Sequence, residues 1–256
     1  AFSVIDVAKD QWEAMTGDLN SRVTASKTAV MKVTEVKSDS IMRHLLPIHP
    51  MAALVLKNIA TAFQSNQRSM FDFIKTPKDL NIHAFQWFIQ NTSPVSERPL
   101  LTVDMLWNFF YENGKDYLTS DIKLILDTYP QQTNLTEKEK VVLKTILIMQ
   151  AVDQRLGGAI PVLKPTDQNL SYAFEGDWDV YENECRNIAK ALVKKGVLIH
   201  TQIADGKQVY SAAVLAGDGA KIDRLKDDVR KNSTTTKLVE EGNELGSALG
   251  LTPPLR

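Results

Sequence analysis

The sequence predicts a mostly α-helical fold, with a helical bundle followed by a winged-helix-like domain that carries a small β-hairpin. Apolar residues recur at spacings of three and four through most of the chain, which is the period of a helix with one buried face. Nothing before residue 197 alternates convincingly as a strand. Two alternating runs, 197–202 and 208–213, then flank Ala-Asp-Gly, and this pattern strongly indicates a hairpin.

The first half of the chain is predicted to consist of short helices separated by Gly, Pro and Ser. Gly17 is expected to end the first helix, and Thr102 is expected to cap a later one. Pro50 fits the first position of a helix, where a missing N–H costs nothing. Segment 20–36 is expected to be an exposed helix. The predicted helices are 4–16, 20–36, 38–46, 50–64, 67–75, 82–91, 102–114 and 118–129.

The second half of the chain begins with a clear start signal. Thr136 and Glu139 have the spacing of a capping box, which predicts a long helix as far as residue 155. Two further helices, 166–174 and 179–195, precede the two strands. Helix, helix, helix and hairpin is the element order of a winged-helix domain.

The predicted organisation has three parts, with a boundary near residues 131–134. Residues 1–132 form the helical bundle, residues 133–216 the winged-helix-like domain, and residues 217–256 a charged helical arm. The aromatic residues of the bundle are expected to form its core rather than a binding surface. They are Phe71, Phe73, Phe85, Trp87, Phe88, Trp107, Phe109 and Phe110.

Composition and charge exclude several classes of protein. The formal net charge is −1, so no overall field attracts the chain to nucleic acid or to an anionic membrane. No apolar run approaches the roughly 20 residues of a membrane-spanning helix. The single Cys185 excludes an internal disulfide and fits a reducing cytoplasm, and its apolar helical setting predicts a buried thiol.

Catalytic motifs are missing from the sequence. It contains no phosphate-binding Gly-x-x-x-x-Gly-Lys loop, no Gly-x-Ser-x-Gly elbow and no His-Glu-x-x-His pair. His44 and His49 are five residues apart with no carboxylate beside them, which predicts no metal site. The chain therefore holds no complete active site.

The most distinctive segment joins two predicted helices. Residues 47–56 read Pro-Ile-His-Pro-Met-Ala-Ala-Leu-Val-Leu, and residues 63–73 read Phe-Gln-Ser-Asn-Gln-Arg-Ser-Met-Phe-Asp-Phe. This pattern resembles a stretch that follows the nucleotide-binding core in large bacterial P-loop ATPases, including those of BREX-type phage-defence systems. It resembles that family most closely over residues 40–75. The absence of an initiator Met fits either a processed protein or a segment of a larger one, and the second agrees with the resemblance.

The resemblance implies a lid that closes over nucleotide bound by an ATPase core of the same polypeptide. The parent protein would use ATP with Mg, whereas this chain alone would bind no cofactor. Arg68 would contact phosphate, with His49, Pro50 and Asn66 near the nucleotide. Two alternatives stay open: Arg68 forms an ion pair with Asp72 or Asp79, and His49 simply caps a helix.

The winged-helix-like domain suggests DNA as a partner. Its third helix and hairpin carry Lys190, Lys194, Lys195 and Lys207, although glutamates at the start of the helix would repel phosphate. The predicted function is therefore a non-catalytic region that couples nucleotide state to DNA or to other proteins of a defence system, in the cytoplasm and without a membrane partner. The alternatives are a self-standing winged-helix DNA-binding regulator and a scaffold piece of a multi-protein complex.

Overall fold

The predicted fold class is confirmed by a computed structural model of the chain. The structure describes residues 9–36, 38–63, 70–77, 81–177, 182–203 and 206–213. All of them belong to one compact unit, Ala1–Val214. They are mostly helical and include one small antiparallel hairpin. The predicted arm, residues 217–256, lies outside the described residues.

The helices and strands follow the predicted order, with shorter irregular turns between them. The helices are α1 Lys9–Arg22, α2 Thr24–Val33, α3 Asp39–Arg43, α4 Pro50–Phe63, α5 Met70–Lys75, α6 Phe85–Asn91, α7 Ser120–Leu126, α8 Glu137–Arg155, α9 Asp167–Ala173 and α10 Glu182–Lys194. The strands are β1 Leu198–Gln202 and β2 Gln208–Ala212. Short 3-10 helices lie at Val103–Leu106, Lys115–Tyr117 and Pro161–Leu163, and a π-helical turn lies at Asn108–Glu112.

Helix α8 lies at the centre of the described unit. Its start has the predicted capping box, in which the Glu139 N–H donates to Thr136 Oγ1 at 3.3 Å and the Thr136 N–H donates to Glu139 Oε2 at 2.9 Å. Every residue from Thr145 to Val152 is buried, so the helix is covered on all sides over these two turns. It packs against α4, α7, α9, α10 and β2.

The second half has the element order of a winged helix, α8, α9, α10 and then the hairpin. Thr166, between α8 and α9, forms an isolated antiparallel bridge with Val209 of β2, which extends the hairpin by a third short segment. The hairpin register pairs Leu198 with Ala212 and Gln202 with Gln208. The Gln150 side chain of α8 anchors the hairpin, because its Oε1 accepts a hydrogen bond from the Ala212 N–H at 2.8 Å.

Most of the predicted aromatic core is buried. The Phe73 ring lies 5.3 Å from Phe109 and 5.8 Å from Phe110, centroid to centroid, and Trp107 is 1% exposed. Phe71 is the clear exception, because 65% of its surface is exposed, and Trp87 is only half-buried. The prediction that these rings form a core was therefore wrong for Phe71, which lies on the outward side of the short helix α5.

Two predictions about the first 36 residues were also wrong. Gly17 does not end α1, which continues to Arg22. The Arg43 side chain crosses to this helix and donates to the Glu13 carbonyl at 2.6 Å, which supports the backbone around the glycine. Segment 20–36 is also not simply exposed: Val23 and Val30 are buried, since α2 packs on α4 and α9.

The two predicted domains are in direct contact. Helix α4 packs against both α8 and α9, and the 3-10 helix Val103–Leu106 packs against α8. The domain boundary near residues 131–134 stays a prediction. The contact places the start of α4 beside the turn that follows α9, and His49 and Glu175 form a hydrogen bond there.

Candidate functional site

His49 lies at the start of α4 and is fully buried. Its backbone N–H donates to the Leu101 carbonyl at 3.0 Å, which fixes the approach to the helix. The Met51 N–H donates to His49 Nδ1 at 3.1 Å, so the side chain caps the helix, and Pro50 takes the predicted first position. Because Nδ1 accepts, the ring proton lies on Nε2, which donates to the Glu175 carbonyl at 3.0 Å.

Burial sets the charge state of His49. Removal from water lowers the pKa of the imidazole to about 4, although the bond to the Glu175 carbonyl opposes this shift. The ring is therefore neutral near pH 7, and both of its nitrogens are used within the fold. The capping alternative describes what the side chain does here, while the predicted nearness of His49 and Pro50 to nucleotide stays a prediction.

The carboxylate of Glu175 holds the start of α2. It accepts hydrogen bonds from the N–H groups of Ala25 at 2.8 Å and Ser26 at 2.6 Å. These donors belong to the first turn of the helix, whose N–H groups have no partner within it, and an anion is favoured at this end. Glu175 thus binds two separate elements of the first half, α2 through its side chain and His49 through its carbonyl.

Gly176 allows the chain to pass between these contacts. Its φ is +77°, a conformation that side-chain-bearing residues rarely adopt. A Cβ here would lie 3.1 Å from Arg22 Cβ and 3.2 Å from the Arg22 carbonyl oxygen. The turn therefore needs glycine both for its backbone conformation and for the closeness of α1.

Asp177 is buried and completes the turn by binding the partly buried guanidinium of Arg98. Arg98 Nε donates to Asp177 Oδ2 at 2.8 Å, and the two remaining Arg98 nitrogens donate to Asp104 at 3.0 and 2.8 Å. Thr102 Oγ1 accepts from Arg98 at 2.7 Å and donates to Asp104 at 2.6 Å. Burial alone lowers the pKa of Arg98, but the two carboxylates outweigh it and raise the pKa overall. Thr102 therefore does not form the predicted side-chain cap.

We call residues 175–177 the junction. Three anchors from the first half of the chain hold it: the start of α2, His49 and Arg98. It ends five residues before α10, with residues 178–181 outside the described part of the chain. The sequence carries no local signal for the roles of Glu175, Asp177 and Arg98, since a Glu-Gly-Asp turn signals only a change of direction and not its distant partners.

Helix α10 presents a basic outer face. Between residues 184 and 194 its exposed side chains are Asn187, Lys190 and Lys194. Glu184 is turned into an ion pair with Lys138 of α8 at 2.8 Å. The four predicted DNA-binding residues Lys190, Lys194, Lys195 and Lys207 are all exposed, but Lys195 Nζ also lies 2.6 Å from the Glu139 carboxylate.

Other predicted features are buried or lie outside the described residues. Cys185 is buried, as predicted. Arg68 and Asn66 lie in the segment 64–69, outside the described residues, so their roles stay predictions. Within the described ranges, no three His, Cys, Asp or Glu side chains group to hold a metal ion, and no helix is both long and apolar enough to cross a bilayer.

A cavity of about 690 Å³ lies beside Arg98. One wall is a stacked pair of rings, His83 and Trp87, with centroids 3.9 Å apart. The charged groups in its lining are largely engaged elsewhere: Arg98 binds Asp104, and Glu112 accepts from Asn108 at 2.6 Å. This arrangement offers no nucleophile paired with a base, so we assign it no chemistry.

Comparison with known proteins adds no assignment. No protein-family model matches the chain, and no curated protein or solved structure matches it.

The buried His49 predicts a loss of stability in acid. Its pKa is about 4 in the folded chain and about 6.5 when unfolded, so protons favour the unfolded state between these values. We expect the free energy of unfolding to fall by about 2 kcal/mol more between pH 7 and pH 4.5 than in His49→Asn. Asn retains an oxygen to cap α4 but does not titrate. Urea unfolding at each pH measures this, and parallel pH profiles would contradict it.

Arg98→Ala should be among the most destabilising single substitutions in the protein. It leaves two buried carboxylates without their cation, and breaking a buried ion pair from one side costs about 3–5 kcal/mol. Arg98→Lys should lose less stability, since lysine keeps the positive charge but cannot make all the hydrogen bonds of the guanidinium group. Lys140→Ala, at an exposed pair with Glu137, is the control and should cost less than about 1 kcal/mol. Equal losses for Arg98→Ala and Lys140→Ala in urea unfolding would refute the role of the junction.

Proposed function

We propose that this chain is the non-catalytic region that follows the nucleotide-binding core of a large bacterial P-loop ATPase. In this role it closes over nucleotide held by the core of the same polypeptide and passes the motion to DNA or to a protein partner. The proposed setting is the cytoplasm, with ATP and Mg bound by the parent protein, and the sequence pattern at residues 47–73 suggests a phage-defence system.

The observation that carries this proposal is the junction. The segment with the ATPase-like pattern begins α4, and His49 at that point donates directly to the Glu175 carbonyl. Asp177, two residues further on, is fixed by Arg98. The start of α4 and the turn before α10 are therefore joined by directional contacts, through which the proposed motion of one would reach the other.

The basic face of α10 supports DNA as the partner that receives this motion. Its exposed positions carry amide and amine groups, and the glutamate at 184 is neutralised by Lys138 instead of opposing phosphate. The same observation also favours the alternative of a self-standing winged-helix DNA-binding regulator. The two proposals differ over Arg68, which matters only if an ATPase core is present.

The first test is hydrolysis of ATP. The isolated chain should show none, because it lacks a phosphate-binding loop. In the parent ATPase, Arg68→Ala should reduce kcat by about 10³-fold or more if its guanidinium stabilises charge on the transferred phosphate. Arg68→Lys should recover only part of this, since an amine cannot reproduce the fork.

The outcome has to be separated from misfolding. Both Arg68 variants should unfold at the temperature of the parent protein. Full activity in a folded Arg68→Ala variant would show that Arg68 does not act on phosphate, and would leave an ion pair with Asp72 or Asp79 as its role. Turnover by the isolated chain that survives repurification would overturn the proposal that the region is non-catalytic.

The second test addresses DNA. We expect Lys190→Glu with Lys194→Glu to weaken duplex binding by tenfold or more and to lower the slope of log K against log salt by about 2, since about two phosphate contacts are lost. Lys9→Glu with Lys32→Glu makes the same change in net charge on exposed residues of α1 and α2 and is the matched control. Fluorescence anisotropy at several salt concentrations measures both. Equal effects of the two pairs would indicate a net-charge effect and argue against the α10 face.

A further inference from the structure

An apolar groove lies among α2, α3, α4 and α5, and its lining includes no residue of the junction or of α10. Its volume is about 770 Å³. Val30 of α2, Ile41 of α3, Leu54 of α4, and Phe71 and Ile74 of α5 contribute to its walls. We call it the α4–α5 groove.

Two of the groove residues are large apolar side chains left in solvent. Ile41 is 51% exposed and Phe71 is 65% exposed. A single exposed apolar residue needs no explanation, but two that line the same groove make a continuous apolar surface. Such a surface is typical of a site that another chain covers.

The charges in the groove define the kind of chain that fits it. Among its described lining residues the only ionisable side chains are His44 and Lys57, both exposed, and none is a carboxylate. Lys75, also exposed, follows Phe71 by four residues and extends the basic edge on the same face of α5. Lys75 does not itself line the groove, and neither do the acidic residues Asp72 and Glu35 that lie next to lining residues in sequence, so Lys57 is the one lysine in the described lining.

We propose that the α4–α5 groove docks an amphipathic helix of a partner protein, with an apolar stripe facing Ile41 and Phe71 and acidic residues on its flanks. Apolar side chains at helical spacing would fill the groove, and the acidic flanks would meet Lys57 and Lys75. The charges would set the choice of partner and the rate of encounter, while burial of the apolar stripe would provide most of the affinity. This inference does not depend on the proposed ATPase function.

Two synthetic peptides test the chemistry of the occupant. Both are helices of about 18 residues, or five turns, with the same leucine stripe, and they carry either glutamate or lysine on the flanks. The full chain should bind the acidic peptide at least tenfold more tightly at low salt, and the ratio should shrink as salt rises. Equal binding of the two peptides, preference for the basic one, or binding of neither would overturn the proposal.

Substitutions locate the binding to the groove. Phe71→Ser should weaken binding of the acidic peptide by tenfold or more. Lys57→Glu should reduce the preference for the acidic over the basic peptide. Both side chains are exposed, so the fold should survive both changes, as a melting curve would check. Val95→Ser is the matched control, since Val95 is 83% exposed and does not line the groove. A loss of binding as large in the control as in Phe71→Ser would place the peptide elsewhere.

Thiol labelling distinguishes an outside partner from the other occupants. Phe71→Cys introduces a reactive thiol into a chain whose single Cys185 is buried, and Val95→Cys provides the exposed reference. We expect the thiols at positions 71 and 95 to react at similar rates in the free protein, with only position 71 protected by the acidic peptide. Protection at every protein concentration would mean that the chain covers its own groove. Protection that grows with concentration would mean a second copy, and either result would overturn the proposal.

Discussion

The described fold depends on how the chain accommodates two carboxylates, Glu175 and Asp177, at the turn after α9. Taking such groups out of water is unfavourable unless hydrogen bonds and opposite charges replace the water. Here the first turn of α2 donates to the Glu175 carboxylate and the guanidinium of Arg98 donates to Asp177, while the His49 ring donates to the backbone carbonyl of Glu175. Each of these contacts is directional, so together they fix the positions of α2, the start of α4 and the Arg98 segment around the turn.

Apolar residues could fill the same space, and exchanging buried ion pairs for well-packed hydrophobic groups is often neutral or even stabilising. Apolar packing tolerates small slips, however, whereas a guanidinium bound to both Asp104 and Asp177 accepts few arrangements. We interpret the junction as a device for geometry more than for stability. The junction fixes the position of the chain shortly before α10, the helix whose exposed lysines form the proposed DNA-binding face.

The sequence predicted those parts of the fold that have local signals. The capping box at Thr136, the proline that begins α4 and the Asp-Gly between the two strands each act over a few residues, and the corresponding elements appear where expected. The junction could not be predicted in this way, because its hydrogen bonds join residues 79, 126 and 150 positions apart. Lys195 shows the same limit: it looked available for DNA, but its partner Glu139 lies on another helix.

Helix α4 links the two surfaces proposed here to bind partners. Its first residues are held to the junction through His49, while Leu54 and Lys57, one to two turns later, line the α4–α5 groove. A partner helix in that groove would press on an element whose start is bonded to the turn before α10. Continuous contact of this kind transmits displacement but does not by itself create two states. The bistable element would have to come from elsewhere, and in the proposed parent protein it is the ATPase core, whose nucleotide state changes with each turnover.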